Sequence, residues 1–400
     1  MLAATVRVAG GLALAEDCTQ DAFVSALEAW QRDGIPRNPG AWLTVAARRR
    51  ALDAYRRGRL LDSKLPELAR QDASMPPDAE PPPRDDFGDD RLRLIFTCCH
   101  PALAREAQVA LTLRLVCGLT TAEIARQFLV PEATMAARVT RAKKKIAGAR
   151  IPYRVPAAAE LADRLDAVLT VIHLVFSTGH AAPSGDLLVR RDLIDRAIEL
   201  TRLLIRLMPD EREAQGLLAL MLVIDARQAG RADPSGDLVL LAEQDRSSWD
   251  QALIAEGHQI LTGALRGGRP GRFVLQAAIA AVHSSAERYA DTDWPQIVGL
   301  YDVLLRVWPS PVVQLNRAAA ISMRDGPAAG LAELAEIDAD VLAGYHYLPA
   351  ARADMLRRLG RNAEAAEQYR AALALAGNAA EQRFLRRRLA ELAELAETER

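Results

Sequence analysis

The 400-residue chain has no apolar stretch that approaches the roughly eighteen residues of a membrane-spanning helix. Its first residues lack the charged segment, apolar core and cleavage site of a secretory signal. These absences argue against an integral membrane or secreted protein. We therefore expect a cytoplasmic protein with no membrane partner.

Cysteine is scarce, with four residues in the chain: Cys18, Cys98, Cys99 and Cys117. Four cysteines in a chain of this length do not indicate a disulfide framework. The adjacent Cys98 and Cys99 cannot easily both reach one tetrahedral zinc, and no C-x-x-C pair accompanies them. We expect buried small residues here and no metal site.

The signals of catalysis are also missing. The candidate acid–base groups are His173, His180, His258, His283 and His346, and none lies in a metal-binding pair, a glycine-rich phosphate loop or a nucleophile elbow. His173 falls within an apolar run, which indicates a core position. The sequence therefore predicts no enzyme and no cofactor.

Alanine, leucine and arginine dominate the composition, and β-branched runs are short. This composition predicts an all-α protein, and its length predicts several domains. Half of the residues are apolar, so the chain can bury sizeable cores. The net charge is −1, so any surface for nucleic acid must be local.

The most informative segment runs from Leu119 to Ile146, where two short helical patterns meet at a tight corner. Thr120 and Glu123 have the spacing of a capping box, which predicts a helix that starts at about Thr121. Pro131 ends that helix and can begin the next one, because proline has no amide proton. The pattern predicts a helix-turn-helix whose second helix is the recognition helix.

The recognition helix separates an apolar stripe from a basic one. Residues at helical spacing are expected to pack inward: Met135, Val139, Ala142 and Ile146. Between Ala133 and Arg150 there are six cationic residues and no acidic one, whereas solvated faces usually mix both signs. Because phosphate contacts need clustered cations, the pattern favours DNA binding over an ordinary helical hairpin.

The first block, residues 1–58, is predicted to be helical and to end in arginines. An acidic start at residues 16–23 leads into an amphipathic helix with Val24, Leu27 and Trp30. Between Arg48 and Arg59 there are six arginines and one acidic residue. This second helix could be merely solvated when taken alone, but a helix-turn-helix in the same chain favours DNA contact.

Residues 59–90 are predicted to be a flexible linker with nine acidic and four basic residues. Its proline-rich part, residues 75–90, cannot form a packed core. Residues 91–152 form the helix-turn-helix block, and residues 153–400 form a long helical array.

The array shows a weak period of 34 residues. Ala319 and Ala353 lie one period apart, and so do Tyr301, Ala335 and Tyr369. This is the tetratricopeptide period, with a small residue on the first helix and an aromatic residue on the second. The repeat is predicted for about residues 297–375, with a generic helical bundle as the alternative. Such an array provides a scaffold or a peptide-binding surface.

Three segments carry a resemblance to a known family: residues 15–23, 41–53 and 119–146. The chain resembles the extracytoplasmic-function (ECF) sigma factors of bacterial RNA polymerase, in the subgroup with a C-terminal tetratricopeptide-like extension. Residues 151–156 and 244–250 are similar to signatures of this subgroup. The resemblance implies that residues 1–58 are sigma region two with a short first helix, and that residues 91–152 are sigma region four.

The resemblance also implies roles for matching positions. Region two would dock on the clamp helices of core polymerase through Asp17, Gln20 and Asp21. The −10 element and its non-template strand would contact Arg37, Asn38, Arg48, Arg49, Arg50, Arg56 and Arg57. Region four, beside the polymerase flap, would read the −35 element of double-stranded DNA with Thr121, Glu132, Ala133, Thr134, Ala136, Ala137, Arg138, Arg141, Lys144 and Lys145. The acidic linker would thread the polymerase cleft.

The sequence thus predicts a sigma factor that directs core RNA polymerase to promoters with −35 and −10 elements. Its array would regulate transcription in cis or bind a protein or peptide partner. The alternative is a helix-turn-helix activator with a tetratricopeptide sensor that does not replace sigma, and a third reading is a pure repeat scaffold. The first block separates these hypotheses, because an activator has no need of an acidic clamp helix followed by an arginine helix.

Overall fold

The computed structural model describes residues 1–64, 90–128, 130–180, 189–233 and 236–398. Within these ranges the regular structure is helical, and the extended pairing amounts to one isolated bridge between Ala232 and Leu238. The predicted all-α fold is confirmed. The chain divides into two compact units, residues 1–171 and residues 172–400.

The described residues of the first unit contain seven helices that end within it: α1 (Leu2–Ala9), α2 (Leu12–Asp33), α3 (Pro39–Lys64), α4 (Asp90–Cys98), α5 (Arg105–Leu115), α6 (Thr121–Gln127) and α7 (Glu132–Gly148). The next helix, α8 (Ala158–His180), continues across the boundary between the units. Helix α3 extends to Lys64, so the predicted linker begins as helix. Residues 65–89 of that linker lie outside the described ranges.

Small side chains allow α2 and α3 to pack closely. Ala22 and Ala26 of α2 are buried against Leu43 and Ala47 of α3. Trp30 packs with its edge toward Trp42, with ring centroids 5.6 Å apart. Alanines occupy the face of α2 that packs on α3, and Val24 and Leu27 lie outside that face, with 55% and 67% of their surface exposed. The apolar face predicted for this helix is therefore wrong except at Trp30.

Helices α4 to α7 pack on one another, α4 on α5, α5 on α6 and α7, and α6 on α7. Each contributes side chains that are almost fully buried: Ile95 and Phe96 of α4, Leu111 of α5, Ile124 of α6 and Met135 of α7. Burial of such side chains stabilises a fold by about 1.5–3 kcal/mol each. The core therefore fixes the angle at which α7 leaves the corner after α6.

The second unit contains ten further helices in the described residues: α9 (Arg191–Leu207), α10 (Arg212–Asp225), α11 (Gln251–Leu265), α12 (Arg272–Ser285), α13 (Trp294–Val307), α14 (Pro311–Arg324), α15 (Pro327–Ala335), α16 (Tyr347–Arg358), α17 (Asn362–Leu375) and α18 (Ala379–Thr398). Helices α10 and α12 pack very closely at Gly216. A Cβ there would lie 2.6 Å from the backbone nitrogen of Val274, so the approach requires glycine.

Consecutive helices of the second unit pair as hairpins, among them α14 with α15 and α16 with α17. In the last hairpin Ala353 and Tyr369 are buried, and Gly360 makes the turn with a φ of 74°. In the preceding hairpin Ala335, at the position equivalent to Tyr369, is exposed. The last two helix pairs thus differ at the equivalent position of the second helix, and the tetratricopeptide-like repeat stays a prediction.

The segment 244–250 stabilises the start of α11 and a neighbouring turn. Asp250 Oδ1 accepts hydrogen bonds from the backbone nitrogens of Ala252 and Leu253, at 2.9 and 3.0 Å. Arg246 Nη1 donates to the backbone carbonyl oxygens of His283 and Ala286, at 2.7 and 2.6 Å. This short signature therefore serves as an N-cap and as a clamp on the end of α12.

Candidate polymerase and promoter interface

One face of α2 presents acidic, amide and apolar side chains together to solvent. Asp17, Gln20 and Asp21 are exposed. Val24 and Leu27 continue the same face, since residues three and four apart are neighbours on a helix. Exposed aliphatic groups beside carboxylates are typical of a surface that another protein covers. The sequence analysis named Val24 and Leu27 as part of the apolar side of an amphipathic helix, but both side chains are exposed beside the acidic residues.

The acidic face of α2 meets the arginine run of α3. Arg50 Nη1 lies 3.3 Å from Asp21 Oδ2, and Arg50 Nη2 donates to Ser25 Oγ at 2.5 Å. Both charged side chains remain largely exposed. Asp21, which is expected to contact polymerase, is thus paired with Arg50, which is expected to contact DNA.

The other residues expected at the −10 element lie at the start of α3 and along it. Arg48, Arg49, Arg56 and Arg57 are exposed, and so is Arg37 in the preceding loop. Asn38 has a structural task at the start of α3, because its Oδ1 accepts a hydrogen bond from the nitrogen of Ala41 at 3.0 Å. Apart from Arg37, these arginines therefore lie on one helix, whose start is capped by Asn38.

The helix-turn-helix forms as the sequence predicts. Thr120 and Glu123 form a reciprocal capping box: the Thr120 nitrogen donates to Glu123 Oε2 at 2.7 Å, and the Glu123 nitrogen donates to Thr120 Oγ1 at 3.2 Å. Pro131 is the N-cap of α7. The inward stripe is confirmed, with Met135, Val139, Ala142 and Ile146 buried.

The outer face of α7 carries the residues expected at the −35 element. Exposed side chains are Glu132, Ala133, Thr134, Ala136, Ala137, Arg141, Lys144 and Lys145, while Thr121 at the start of α6 is half-buried. Arg138 differs from these residues, because its side chain is only 22% exposed. Its guanidinium lies 3.5 Å from Glu106 and 5.6 Å from the centroid of the Phe128 ring. Arg138 therefore braces α7 against α5 and the corner.

The two blocks of the first unit contact each other. Lys143 Nζ of α7 donates to the carboxylate of Glu16 in α2, at 2.6 and 2.7 Å. Tyr153 Oη lies 2.7 Å from the backbone oxygen of Ala3 and 2.8 Å from that of Asp90. Sequence analysis missed these contacts, since they join residues far apart in the chain.

Three of the remaining candidates for chemistry, Cys98, Cys99 and His173, lie in packed surroundings. Cys98 and Cys99 are buried, and burial raises the pKa of the Cys99 thiol to about 12. Burial lowers the pKa of His173 to about 4, and its ring lies edge-on to Phe273. Within the described ranges no three histidine, cysteine or acidic side chains converge as a metal site. No described helix is long and apolar enough to cross a membrane.

Comparison with known proteins agrees with this geometry. Residues 2–60 match the family model described as sigma-70 region 2, and residues 93–146 match the model described as sigma-70, region 4. Residues 164–265 match a family of unknown function, DUF6596. An uncharacterized protein of Rhizobium meliloti (strain 1021) is 45% identical over 395 residues, which cover 98% of this chain and 93% of that protein.

The two sigma models coincide with α1–α3 and with the helix-turn-helix block. The third begins within α8 and ends with α11, so it falls mainly in the second unit. The chain belongs to the sigma-70 family, as an ECF-like sigma factor with a C-terminal extension.

Proposed function

We propose that this sigma factor binds core RNA polymerase through the exposed face of α2 and directs it to promoters with −10 and −35 elements. The observation that carries the proposal is that one chain has two exposed surfaces: an acidic and apolar face on α2 and a basic outer face on α7. An activator that does not replace sigma would need the basic face of α7 for DNA, but it would not need the face of α2.

The polymerase contact combines charge with apolar burial. Asp17 and Asp21 supply charge complementary to a basic partner helix, which guides association and sets the register. Val24 and Leu27 supply apolar area that gains free energy when a partner covers it, at about 25 cal/mol per Å². The clamp helices of the largest polymerase subunit are the proposed partner.

The promoter contacts divide between base edges and phosphates. Small residues at the start of α7, Ala133, Ala136 and Ala137, allow the helix to approach the major groove, with Glu132 facing the bases. Arg141, Lys144 and Lys145 contact phosphates, which position a protein without reading sequence. The arginines of α3 contact the −10 strand in the same way.

The contact between Glu16 and Lys143 belongs to a form that is not bound to a promoter. The centres of the −10 and −35 elements lie about 25 base pairs apart, which corresponds to about 85 Å of duplex at about 3.4 Å per base pair. Helices α2 and α7 cannot touch while α3 and α7 occupy those two elements. The first unit must therefore open when polymerase and promoter bind.

The second unit is proposed to regulate transcription in cis or to bind a protein or peptide partner on its stacked hairpins. Stacked helical pairs provide extended surfaces for such partners. The cytoplasmic location proposed for the chain follows from its polymerase partner.

In vitro transcription with sigma-free core polymerase tests the main proposal. We expect promoter-dependent transcripts when the full chain is the sole sigma subunit. If transcripts appear only after a primary sigma subunit is added, the chain acts as an activator and the proposal is wrong. Binding of the chain to core alone, followed by size exclusion, separates failure to bind polymerase from failure to recognise the promoter used.

A further inference from the structure

The second unit contains a cavity of about 630 Å³ between the segment 238–243 and the helices α16, α17 and α18. Small-molecule sites in proteins typically have volumes of roughly 300–1,000 Å³. Neither the polymerase contact nor the promoter contacts use this cavity. Its size therefore raises the question of which chemistry its lining would accept.

Aromatic and aliphatic side chains form much of the wall. Tyr347, Tyr369 and Phe384 come from three successive helices, and Leu240 and Leu241 come from the opposite segment. Tyr369 is almost fully buried, and the hydroxyl of Tyr347 donates to Glu381 at 2.6 Å. These rings are held in place, so the cavity offers a preformed apolar surface to a ligand.

The polar part of the wall favours an anion. Four arginines line the cavity, Arg231, Arg357, Arg358 and Arg388, against three carboxylates, Glu243, Asp354 and Glu381. Each carboxylate already has a partner: Asp354 accepts from Arg357 at 2.8 Å, Glu243 lies 3.4 Å from Arg388, and Glu381 accepts from Tyr347. Arg358 also donates to the hydroxyl and carbonyl oxygens of Ser322, and Arg388 also pairs with Glu391. Arg231 donates to the carbonyl oxygen of His180 and is in ion-pair contact with none of the three carboxylates, so its guanidinium keeps donors for a ligand.

Further positive charge lies beside Arg231. Arg227 and Arg246 approach the ring of Trp249, with 5.9 and 4.9 Å from each guanidinium carbon to the ring centroid. Arg246 Nε and Nη2 are buried without a hydrogen-bond partner in the described residues. The carboxylate of Asp291 is close enough to oppose the effect of burial on the pKa of Arg246, but it is not in ion-pair contact. Burial lowers the pKa of Arg227 to about 10, and the charges of Arg231 and Arg246 add to that effect.

Arg227, Arg231 and Arg246 are half-buried, and neither Arg227 nor Arg246 has a carboxylate in ion-pair contact within the described residues. Gathering such cations is unfavourable, and a bound anion would offset part of their mutual repulsion. We propose that the cavity binds a small organic acid, a carboxylate carried on an aromatic or aliphatic body. The carboxylate pairs with Arg231 at the end nearest Arg227 and Arg246. The apolar body packs on Tyr347, Tyr369 and Phe384.

Isothermal titration calorimetry on the full chain tests this proposal with three probe acids: phenylacetate, 4-phenylbutyrate and octanoate. We expect 4-phenylbutyrate to bind at least about tenfold more tightly than its uncharged amide, because only the acid can pair with the arginines. The proposal is overturned if none of the acids binds at concentrations up to about 1 mM. Equal affinities for the acid and the amide would also overturn it.

Two variants locate the site. Ala242 is exposed at the cavity wall, so Ala242→Trp should fill the cavity without disturbing the core. It should abolish binding of 4-phenylbutyrate and of its amide. Ala371→Trp, at an exposed position of α17 outside the cavity lining, is the matched control and should bind normally. Arg231→Gln should reduce the affinity for the acid to that for the amide. Unchanged binding by Ala242→Trp would place the ligand elsewhere and refute the proposal.

Discussion

Lys143 Nζ lies 2.6 Å from a carboxylate oxygen of Glu16, across 127 positions of the chain. Each side chain is about one-quarter exposed, at 24% and 23%, so solvent screens this pair less than it screens an open surface pair. The contact joins the helix expected to read the −35 element to the helix expected to bind polymerase. Its strength therefore influences how readily the first unit opens.

Glu16→Gln should weaken the closed form, because an amide cannot pair with Lys143 as a charge. We expect lower energy transfer between dyes at the exposed positions Ala13 and Ala147. The charge-swapped double variant, Glu16→Lys with Lys143→Glu, should restore the transfer. Glu28→Gln on the same helix is the control and should change nothing. Unaltered transfer in Glu16→Gln would show that this pair does not hold the closed form.

Reversing the charge at both Asp17 and Asp21 to lysine should abolish co-purification with core polymerase, since like charges would then face the clamp helices. Both side chains are exposed, so the fold should be unaffected. The matched control reverses Asp33 and Asp53, which are exposed outside the proposed face, and should retain binding. Normal core binding by the Asp17/Asp21 variant would remove α2 from the polymerase interface.

The apolar part of the same face gives an independent test. Val24→Ser with Leu27→Ser should weaken core binding by at least about tenfold, because two exposed aliphatic side chains lose their burial. The free energy of unfolding should change by no more than about 0.5 kcal/mol, as is usual for exposed positions. Val45→Ser on α3, at 50% exposure, is the control. A polymerase titration with parallel thermal melts separates the two effects.

Arg141 and Arg138 should behave differently in DNA titrations. Arg141→Ala should weaken binding to every sequence and reduce the slope of log K against log salt by about one. Arg138→Ala should reduce the slope less and should also destabilise the helix-turn-helix, because Arg138 contacts Glu106 and Phe128. Altered sequence preference without loss of affinity in Arg141→Ala would contradict its role as a phosphate contact.

The second unit should lose stability in acid. Burial lowers the pKa of both His173 and His283 to about 4, from a usual value of 6.5. The unfolded chain therefore binds more protons than the folded chain between these values, and the free energy of unfolding falls as pH falls from about 6.5 to about 4. Urea titrations of the full chain at pH 7.5 and 5 measure this difference. His173→Leu should make it smaller.

The helix-turn-helix could be predicted almost residue by residue because its signals are local. A capping box, a proline and an apolar stripe lie within 27 positions from Thr120 to Ile146, and each acts through neighbours on the same helix. The small residues of α2 carried a weaker signal. Val24 and Leu27 were more hydrophobic than Ala22 and Ala26, but the close approach of α3 selected the alanines for the core.

The parts that sequence could not supply depend on contacts between distant segments. Glu16 meets Lys143, and Tyr153 meets Ala3 and Asp90, at separations that no helical period encodes. The cavity has the same origin, since it needs the segment 238–243 to face α18. The sequence shows the arginines that line this cavity, but it does not show that the fold brings them together there.

The pairing of Asp21 with Arg50 makes the two proposed ligands of region two thermodynamically linked. If polymerase binds Asp21, the Arg50 guanidinium loses its partner and can bind the promoter strand. If the promoter strand binds Arg50, the Asp21 carboxylate can bind polymerase in the same way. Such linkage is reciprocal, so each ligand raises the affinity for the other by the same factor. Because the pair is largely exposed, that factor is no more than about fivefold. Region two would then favour DNA modestly more when it is part of the holoenzyme than when it is alone.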